Sequence, residues 1–244
     1  SLKIKPSIDI YLKMYDLTKA ENLETEHDYY MSILEEKFSS MSEVKVRKSQ
    51  RMLEDGRFDE AKEILSSIPS DDTHAGTANN ILGQLAFSES DLESAEFYFQ
   101  KTLTSQPENI EVYNNLAAIK NSLGSHKEAI RLLERSLEIN PSFFEALNNL
   151  GISQNALGKF KAAIKSYCQV LSKTPDAWNN LYFPLRSRIL TGEISFEDIE
   201  YLLKDVISEQ PVSYFTLIHR LKRGLQEGSQ SHADLIEHVR NTED

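Results

Sequence analysis

A regular spacing recurs through the middle of the chain and limits the folds that the chain can adopt. Pro107, Pro141 and Pro175 follow one another at a constant interval, and the sequence Tyr-Asn-Asn-Leu-Ala at 113–117 returns at the same interval as Leu-Asn-Asn-Leu-Gly at 147–151. A fixed period of this length is typical of helix-turn-helix solenoids, in which each unit buries its apolar face only by stacking on its neighbours.

The composition favours an all-helical chain. Leu, Ala, Glu, Lys and Asn are frequent, Val and Thr are thinly spread, and no stretch alternates apolar and polar residues as a half-buried strand would. With 244 residues, of which 40% are hydrophobic, the chain is long enough to bury a sizeable core.

The period divides the chain into units of unequal regularity. Gly56 and Ala61 match the turn and second helix of a repeat, Ser40 and Glu43 form a capping-box pattern that predicts a helix start, and the period breaks at Trp178. The helices before residue 42 show no repeat punctuation. The predicted division is an N-terminal helical cap or tail at 1–41, a diverged repeat at 42–75, regular repeats at 76–109, 110–143 and 144–177, and a C-terminal helical block at 178–244.

The residues at fixed positions of these units resemble those of the tetratricopeptide repeat family. Gly83 and Gly151 remove side-chain bulk where the first helix of a repeat meets the second, and Gly124 and Gly158 suit a positive φ at the turn. The resemblance covers residues 42–177. It implies an all-α fold, a right-handed α-solenoid of helix-turn-helix repeats with flanking helical segments.

The charge and the cysteine content bear on partners and location. The formal net charge of −11 argues against a nucleic-acid or an anionic-membrane partner, because phosphate binding requires clustered Lys and Arg. No apolar run approaches the ~18 residues needed to span a bilayer. A single cysteine, Cys168, excludes an internal disulfide framework and fits a reducing, cytoplasmic compartment.

The inventory of catalytic residues is poor. Six histidines are scattered through separate segments, and Asp234 with His238 could supply two metal ligands with nothing nearby to complete the set. Cys168 has no histidine close in sequence, and no Gly-rich phosphate loop or nucleophile elbow occurs. We therefore expect no enzyme activity, no metal and no cofactor.

The resemblance also implies where a ligand binds, because in this family the first helix of each repeat lines a concave groove. Many of the residues at these positions are asparagines, whose amides can pair with the backbone of an extended peptide whatever its side chains are. Asn as an ordinary soluble residue of the first helix is the alternative explanation. The predicted groove residues are Asn80, Gln84, Glu111, Asn114, Asn115, Asn121, Glu145, Asn148, Asn149, Ile152 and Asn155.

Two other features of the groove refine this expectation. The amide series resembles the asparagine ladder of O-GlcNAc transferases. The carboxylate clamp of Hsp90 and Hsp70 co-chaperones requires Lys and Arg at positions that here hold Asn and Ala, and Glu111 and Glu145 would repel an acidic tail.

Two functional hypotheses follow. The first is a non-catalytic interaction module that binds an extended peptide or a partner helix in the groove. The second is the recruiting region of a larger transferase, because residues 177–184 and 214–224 resemble the connector of bacterial tetratricopeptide sulfotransferases, although the sulfonucleotide-binding loop is absent. Self-association through the ends of the solenoid is a further alternative.

Overall fold

The computed structural model describes residues 7–171 and the single residues 195, 197, 201, 219 and 223. Within these residues it contains ten α-helices and no strand. The chain forms two compact units, Ser1–Glu108 and Asn109–Asp244. The helices of the first unit are α1 (Ile8–Ala20), α2 (Glu24–Phe38), α3 (Ser42–Glu54), α4 (Phe58–Ser66), α5 (Ala75–Ser88) and α6 (Leu92–Ser105). Those of the second unit are α7 (Ile110–Ser122), α8 (His126–Ile139), α9 (Phe144–Ala156) and α10 (Phe160–Leu171).

The helices pair into five hairpins along the described chain, each with a first helix (A helix) and a second helix (B helix). The five B helices begin at residues 24, 58, 92, 126 and 160, which are spaced by 34. The turn before each B helix contains one residue with a positive φ, again at intervals of 34. These residues are Asn22 (54°), Gly56 (75°), Ser90 (64°), Gly124 (73°) and Gly158 (73°).

The hairpin of α1 and α2 thus follows the same period, which the sequence did not reveal. Asn22 takes the place of glycine at its turn, and Asn is one of the few residues that tolerate a positive φ. Tyr15 and His27 occupy the positions that hold small residues in later repeats, and their rings stack with centroids 4.0 Å apart. Because both markers differ, the repeat pattern is recognisable here only in the backbone.

Inside each hairpin, the side chains at two facing positions are matched in size. The B-helix position holds a large, fully buried residue in every hairpin, and from the second hairpin onwards the A-helix residue is glycine where this residue is aromatic and Ser or Ala where it is Leu. From the first hairpin to the fifth, the residues of the A and B helices at these positions are Tyr15 and Met31, Ser49 and Leu65, Gly83 and Phe99, Ala117 and Leu133, and Gly151 and Tyr167.

A hydroxyl group closes the open end of two hairpins. Thr102 Oγ1 of α6 donates to the carbonyl oxygen of Gly76 in α5 at 3.3 Å, and Ser136 Oγ of α8 donates to that of Ile110 in α7 at 3.0 Å. Both hydroxyls are buried, and the second bond repeats the first one period later in the chain. Hydrogen bonding of buried hydroxyls removes the cost of desolvating them.

The contacts between successive hairpins differ within the chain. In the second unit, α8 and α9 meet through apolar residues that include Ile130, Leu133 and Ala146. In the first unit, two ion pairs join α2 to α3, Asp28 to Arg51 at 2.6 Å and Glu35 to Lys48 at 3.0 Å. The α2–α3 contact therefore relies more on exposed charge than the α8–α9 contact does.

The predicted capping box at Ser40 and Glu43 does not form. The residue at the N-cap of α3 is Met41, whose side chain makes no capping hydrogen bond, and the helix begins at Ser42. The hydroxyl of Ser42 donates instead to Asp72 Oδ2 at 2.7 Å. Apart from five single residues, the predictions for residues 178–244 lie outside the described part of the chain.

Candidate functional site

The predicted asparagines of the second unit lie on α7 and α9, the two A helices, and two of them contact each other. Asn149 Nδ2 of α9 donates to Asn114 Oδ1 of α7 at 2.8 Å. Both side chains are partly buried, as are those of Asn115 and Asn148. Asn114 and Asn149, from two successive repeats, are therefore neighbours in space.

This hydrogen bond uses only part of the capacity of the two amides. A primary amide has two N–H donors and a carbonyl oxygen with two lone pairs. The bond occupies one N–H of Asn149 and one lone pair of Asn114, so the oxygen of Asn149 and the NH2 group of Asn114 retain their capacity. The pair can hold α7 against α9 and also bind a ligand.

A second polar cluster surrounds Asn121 near the end of α7. Its Oδ1 accepts a hydrogen bond from Ser153 Oγ of α9 at 2.8 Å and lies 3.0 Å from His126 Nδ1, which donates because an amide oxygen can only accept. Ser153 Oγ also lies 2.9 Å from the carbonyl oxygen of Asn149. Asn121 is thus held in a fixed orientation by residues of two neighbouring helices.

Ser153 and His126 are the members of this site that the sequence analysis missed. Ser153 is fully buried and occupies the position that holds Ile119 in α7, one repeat earlier, and Leu85 in α5, two repeats earlier. A hydroxyl where the two preceding repeats bury an aliphatic residue indicates a hydrogen-bond partner, since buried polar groups are seldom left unpaired. Serine at position 153 was therefore the sequence feature from which this contact could have been predicted.

The predicted residues of the first unit lie on α5. Gln84 is exposed, whereas the Asn80 side chain is partly buried. Asn80 Oδ1 is inaccessible to solvent and has no hydrogen-bond partner among the described residues. A buried acceptor without a partner costs about 1–3 kcal/mol, so Asn80 is a candidate for contact with a bound water or ligand.

The remaining predicted residues set the charge of the surface. Glu111 and Glu145 are exposed in the first turns of α7 and α9, Ile152 is exposed, and Asn155 is partly buried. None of the eleven predicted positions holds Lys or Arg. The charged residues among the predicted positions are therefore both acidic.

The described part of the chain holds neither a metal site nor a membrane-spanning helix. Residues 7–171 and the five single residues contain no group of three or more His, Cys, Asp and Glu side chains that could hold a metal ion. In the same part of the chain, no helix has the length and apolar character to cross a bilayer. Asp234, His238 and the side chain of Cys168 lie outside these residues.

Comparisons with known proteins agree with this architecture. No curated protein matches the chain. Among solved structures, a tetratricopeptide repeat protein from Parabacteroides merdae is 20% identical with a TM-score of 0.59, and the match covers 80% of this chain and 78% of that one. YrrB, a tetratricopeptide repeat protein with an unusual peptide-binding site, is 20% identical with a TM-score of 0.58, over 79% and 97% of the two chains. MamA is 21% identical with a TM-score of 0.54, over 69% and 92%.

At these identities the likeness to solved structures shows the fold alone, whereas a match to a family model covers part of the sequence. Residues 108–173, which contain α7 to α10, match the family model for the tetratricopeptide repeat. The helix bounds, the turn residues with positive φ and the size-matched pairs recur with the period of this repeat. The chain therefore has the all-α solenoid fold of tetratricopeptide repeat proteins, and its residues 108–173 match that family.

Proposed function

We propose that the protein is a non-catalytic interaction module that binds an extended peptide or a partner helix along the A helices α7 and α9. The observation that carries this proposal is the Asn149–Asn114 hydrogen bond, which brings the amides of two repeats together and leaves part of their capacity unused. Repeated amides at one pitch suit a ligand whose backbone offers a donor and an acceptor at every residue.

The energetic argument also favours a ligand. Asn is a mediocre helix former, and Asn114, Asn115, Asn148 and Asn149 all lie inside helices. The bond between Asn149 and Asn114 explains two of these residues by packing between repeats. Asn115 has no contact of this kind with another described residue, so peptide binding is the stronger explanation for its presence.

YrrB supports the same proposal by analogy. YrrB shares the fold at 20% identity and has an unusual peptide-binding site. In the present chain, the exposed carboxylates of Glu111 and Glu145 would repel an acidic peptide and therefore favour binding of neutral or basic peptides.

Binding can be tested with a random 12-residue peptide library displayed on phage, followed by fluorescence polarisation of the selected peptides. We expect Asn115→Ala to weaken these peptides by about tenfold, which is the loss of about 1.4 kcal/mol that one or two hydrogen bonds supply. Thermal unfolding should be almost unchanged, because the variant removes no hydrogen bond between repeats.

A matched control is Gln100→Ala, which removes an exposed amide from the B helix α6, where it donates to Glu96 at 3.1 Å. This variant should bind the peptides like the wild type. Asn149→Ala should lose both affinity and stability. Selected peptides that bind the wild type and the Asn115 variant equally would contradict the groove, and a library that gives no binder would contradict peptide binding altogether.

The other hypotheses stay predictions. The recruiting region of a larger transferase rests on residues 177–184 and 214–224, which lie outside the described chain. A cytoplasmic location rests on the single cysteine.

A further inference from the structure

The first helix of the array carries an apolar stripe that faces solvent. Ile10 is 51% exposed and Leu17 is 49% exposed, and the partly buried Met14 lies between them at the i+4 position. Residues at i, i+4 and i+7 lie on one side of a helix. The outer side of α1 is therefore an apolar surface without a cover among the described residues.

The same positions are covered in the later A helices. The residues that follow Ile10 at intervals of 34 are buried: Val44 is 1% exposed, Ala78 3%, Val112 0% and Ala146 0%. At the position of Leu17, Leu85, Ile119 and Ser153 are 7%, 0% and 0% exposed, whereas α3 has Arg51 there, which pairs with Asp28 of α2. Among the five described A helices, α1 alone leaves this side open while keeping its apolar residues.

The cover on α3 and on α9 is the hairpin that precedes each of them in its own unit. Val44 of α3 belongs to a core cluster with Met31 and Leu34 of α2. Ala146 of α9 packs in a cluster with Ile130 and Leu133 of α8. In α3 and α9, the side of the A helix that contains this position thus packs against the preceding B helix. The exposed side of α1 corresponds to this interface.

The sequence of residues 1–7 indicates which element would cover this side of α1. Residues 1–7 read Ser-Leu-Lys-Ile-Lys-Pro-Ser, and residues 136–142, which close the hairpin of α7 and α8, read Ser-Leu-Glu-Ile-Asn-Pro-Ser. A leucine four residues before a proline occurs at the end of each regular repeat. These pairs are Leu103 and Pro107, Leu137 and Pro141, and Leu171 and Pro175, and Leu2 and Pro6 have the same spacing.

We propose that the outer side of α1 is the docking surface for the B helix of a further tetratricopeptide hairpin, placed before Ser1 in the same polypeptide. Residues 1–7 carry the closing sequence of that hairpin. The occupant is an amphipathic helix that presents apolar residues where α8 presents Ile130 and Leu133 to α9. The proposal does not depend on the groove.

Charge opposes the main competing occupant, a second copy of the chain. Residues 7–41 contain three Lys, no Arg and eight Asp or Glu. Two copies that meet through α1 would bring two acidic hairpins together, and like charges at an interface are unfavourable. A preceding hairpin, like those inside the array, requires only local apolar contact.

An extended chain tests the proposal directly. Residues 108–135 are placed immediately before Ser1, so that Ser1–Ser7 follows α8 sequence as Ser136–Ser142 does in the native chain. Amide hydrogen exchange of α1 is then measured in the extended and the original chains. We expect exchange in α1 to be about tenfold slower or more in the extended chain, because a docked helix raises the free energy of local opening.

Variants separate docking from general stabilisation. Leu17→Asp should abolish the added protection in the extended chain and leave α1 exchange unchanged in the original chain, where Leu17 is exposed. Phe97→Asp, at an exposed apolar residue of α6 that is 51% accessible, should act in neither chain. Unchanged α1 exchange in the extended chain, or equal effects of Leu17→Asp in both chains, would overturn the proposal.

Light scattering on the original chain tests the competing occupant. We expect a monomer. A dimer that dissociates on Ile10→Asp substitution would assign the outer side of α1 to a second copy and overturn the proposal.

Discussion

The ring of Tyr167 packs against the backbone of Gly151 so closely that a Cβ atom at residue 151 would lie 2.7 Å from Cε1 and Cζ of the ring. The same relationship occurs two repeats earlier, where a Cβ at Gly83 would lie 2.7 Å from Cδ1 and Cε1 of Phe99. In the hairpin between them, Ala117 and the smaller Leu133 share one core cluster. An aromatic B-helix residue thus accompanies glycine, and leucine accompanies alanine.

We predict that Gly151→Ala destabilises the protein by about 1–3 kcal/mol, the usual cost of overpacking a core. The added methyl must displace a buried aromatic ring, and this cost exceeds the gain of up to ~1 kcal/mol in helix propensity. Urea unfolding followed by circular dichroism measures the change.

The double variant Gly151→Ala with Tyr167→Leu provides the control, because it recreates the pair of Ala117 and Leu133. The loss of stability in the double variant should be smaller than the sum of the losses in the two single variants, because each substitution relieves the mismatch that the other creates. Strict additivity would show that the two positions are not coupled.

Ser90 gives a prediction of opposite sign. Its φ of 64° is unfavourable for a residue with a side chain, whereas glycine occupies the equivalent position in three of the other four hairpins. Ser90→Gly should therefore stabilise the protein by about 0.5 kcal/mol, after allowance for the greater flexibility of glycine in the unfolded chain.

Ser88→Gly, two residues earlier, makes the same chemical change at the last residue of α5. It should destabilise the protein by up to ~1 kcal/mol, because glycine is unfavourable in a helix, and it also removes the hydrogen bond from Ser88 Oγ to the carbonyl oxygen of Leu85. Thermal unfolding of both variants checks the pair, and a loss of stability in each would contradict the argument from φ.

Salt should act unequally on the hairpins. The ion pairs between α2 and α3, Asp28–Arg51 and Glu35–Lys48, are partly exposed, so each contributes about 0.2–1 kcal/mol at low salt. At about 1 M NaCl the Debye length falls to about 3 Å. Hydrogen exchange in α2 should become faster, whereas that in α8 and α9, which meet through apolar residues, should not. Equal responses in both places would refute this.

Two helix caps should differ in their response to acid. Asp91 Oδ1 accepts from the backbone N–H of Ser94 at the start of α6, and Asn109 Oδ1 accepts from that of Val112 at the start of α7, each at 3.1 Å. Hydrogen bonds from the side chain and the backbone of Ser94 lower the pKa of Asp91. A lowered pKa in the folded state means that the stabilisation is complete above the unfolded pKa of about 3.9 and is lost as the pH falls through the folded value.

The effect of Asp91→Ala on the thermal midpoint should therefore shrink below about pH 4, where the wild-type carboxylate becomes protonated. The effect of Asn109→Ala on the thermal midpoint should not depend on pH in this way, because the amide of Asn109 does not ionise. Thermal unfolding between neutral and acidic pH compares the two. A parallel decline in both variants would point to global acid unfolding instead.

The regular repeats could be predicted from the sequence because their recurring glycines occupy positions where the local backbone geometry permits few other residues. Gly124 and Gly158 take the predicted positive φ, and Gly83 and Gly151 take the predicted close contact with a B helix. Few residue types fit a positive φ or a close contact between helices, so a glycine at these positions indicates the backbone conformation.

The first hairpin and the polar contacts could not be predicted in the same way. Asn22 supplies the positive φ without glycine, and the stacked rings of Tyr15 and His27 replace a contact of small residues. The hydrogen bonds from Ser153 and His126 to Asn121 join three helices, so they depend on tertiary packing that no local pattern encodes. The apolar stripe of α1 likewise gains meaning only from the burial of Val44 and Ala146.

The hydroxyl bonds that close two hairpins, Thr102 to Gly76 and Ser136 to Ile110, have an evolutionary consequence. Both partners of each bond lie within one repeat, so duplication or deletion of a whole repeat carries the bond along intact. A boundary placed between the partners would separate each hydroxyl from its carbonyl acceptor in the other helix. Gene duplication can therefore lengthen or shorten the array in whole repeats without new compensating mutations at this contact, and the number of repeats can change faster than their internal sequence.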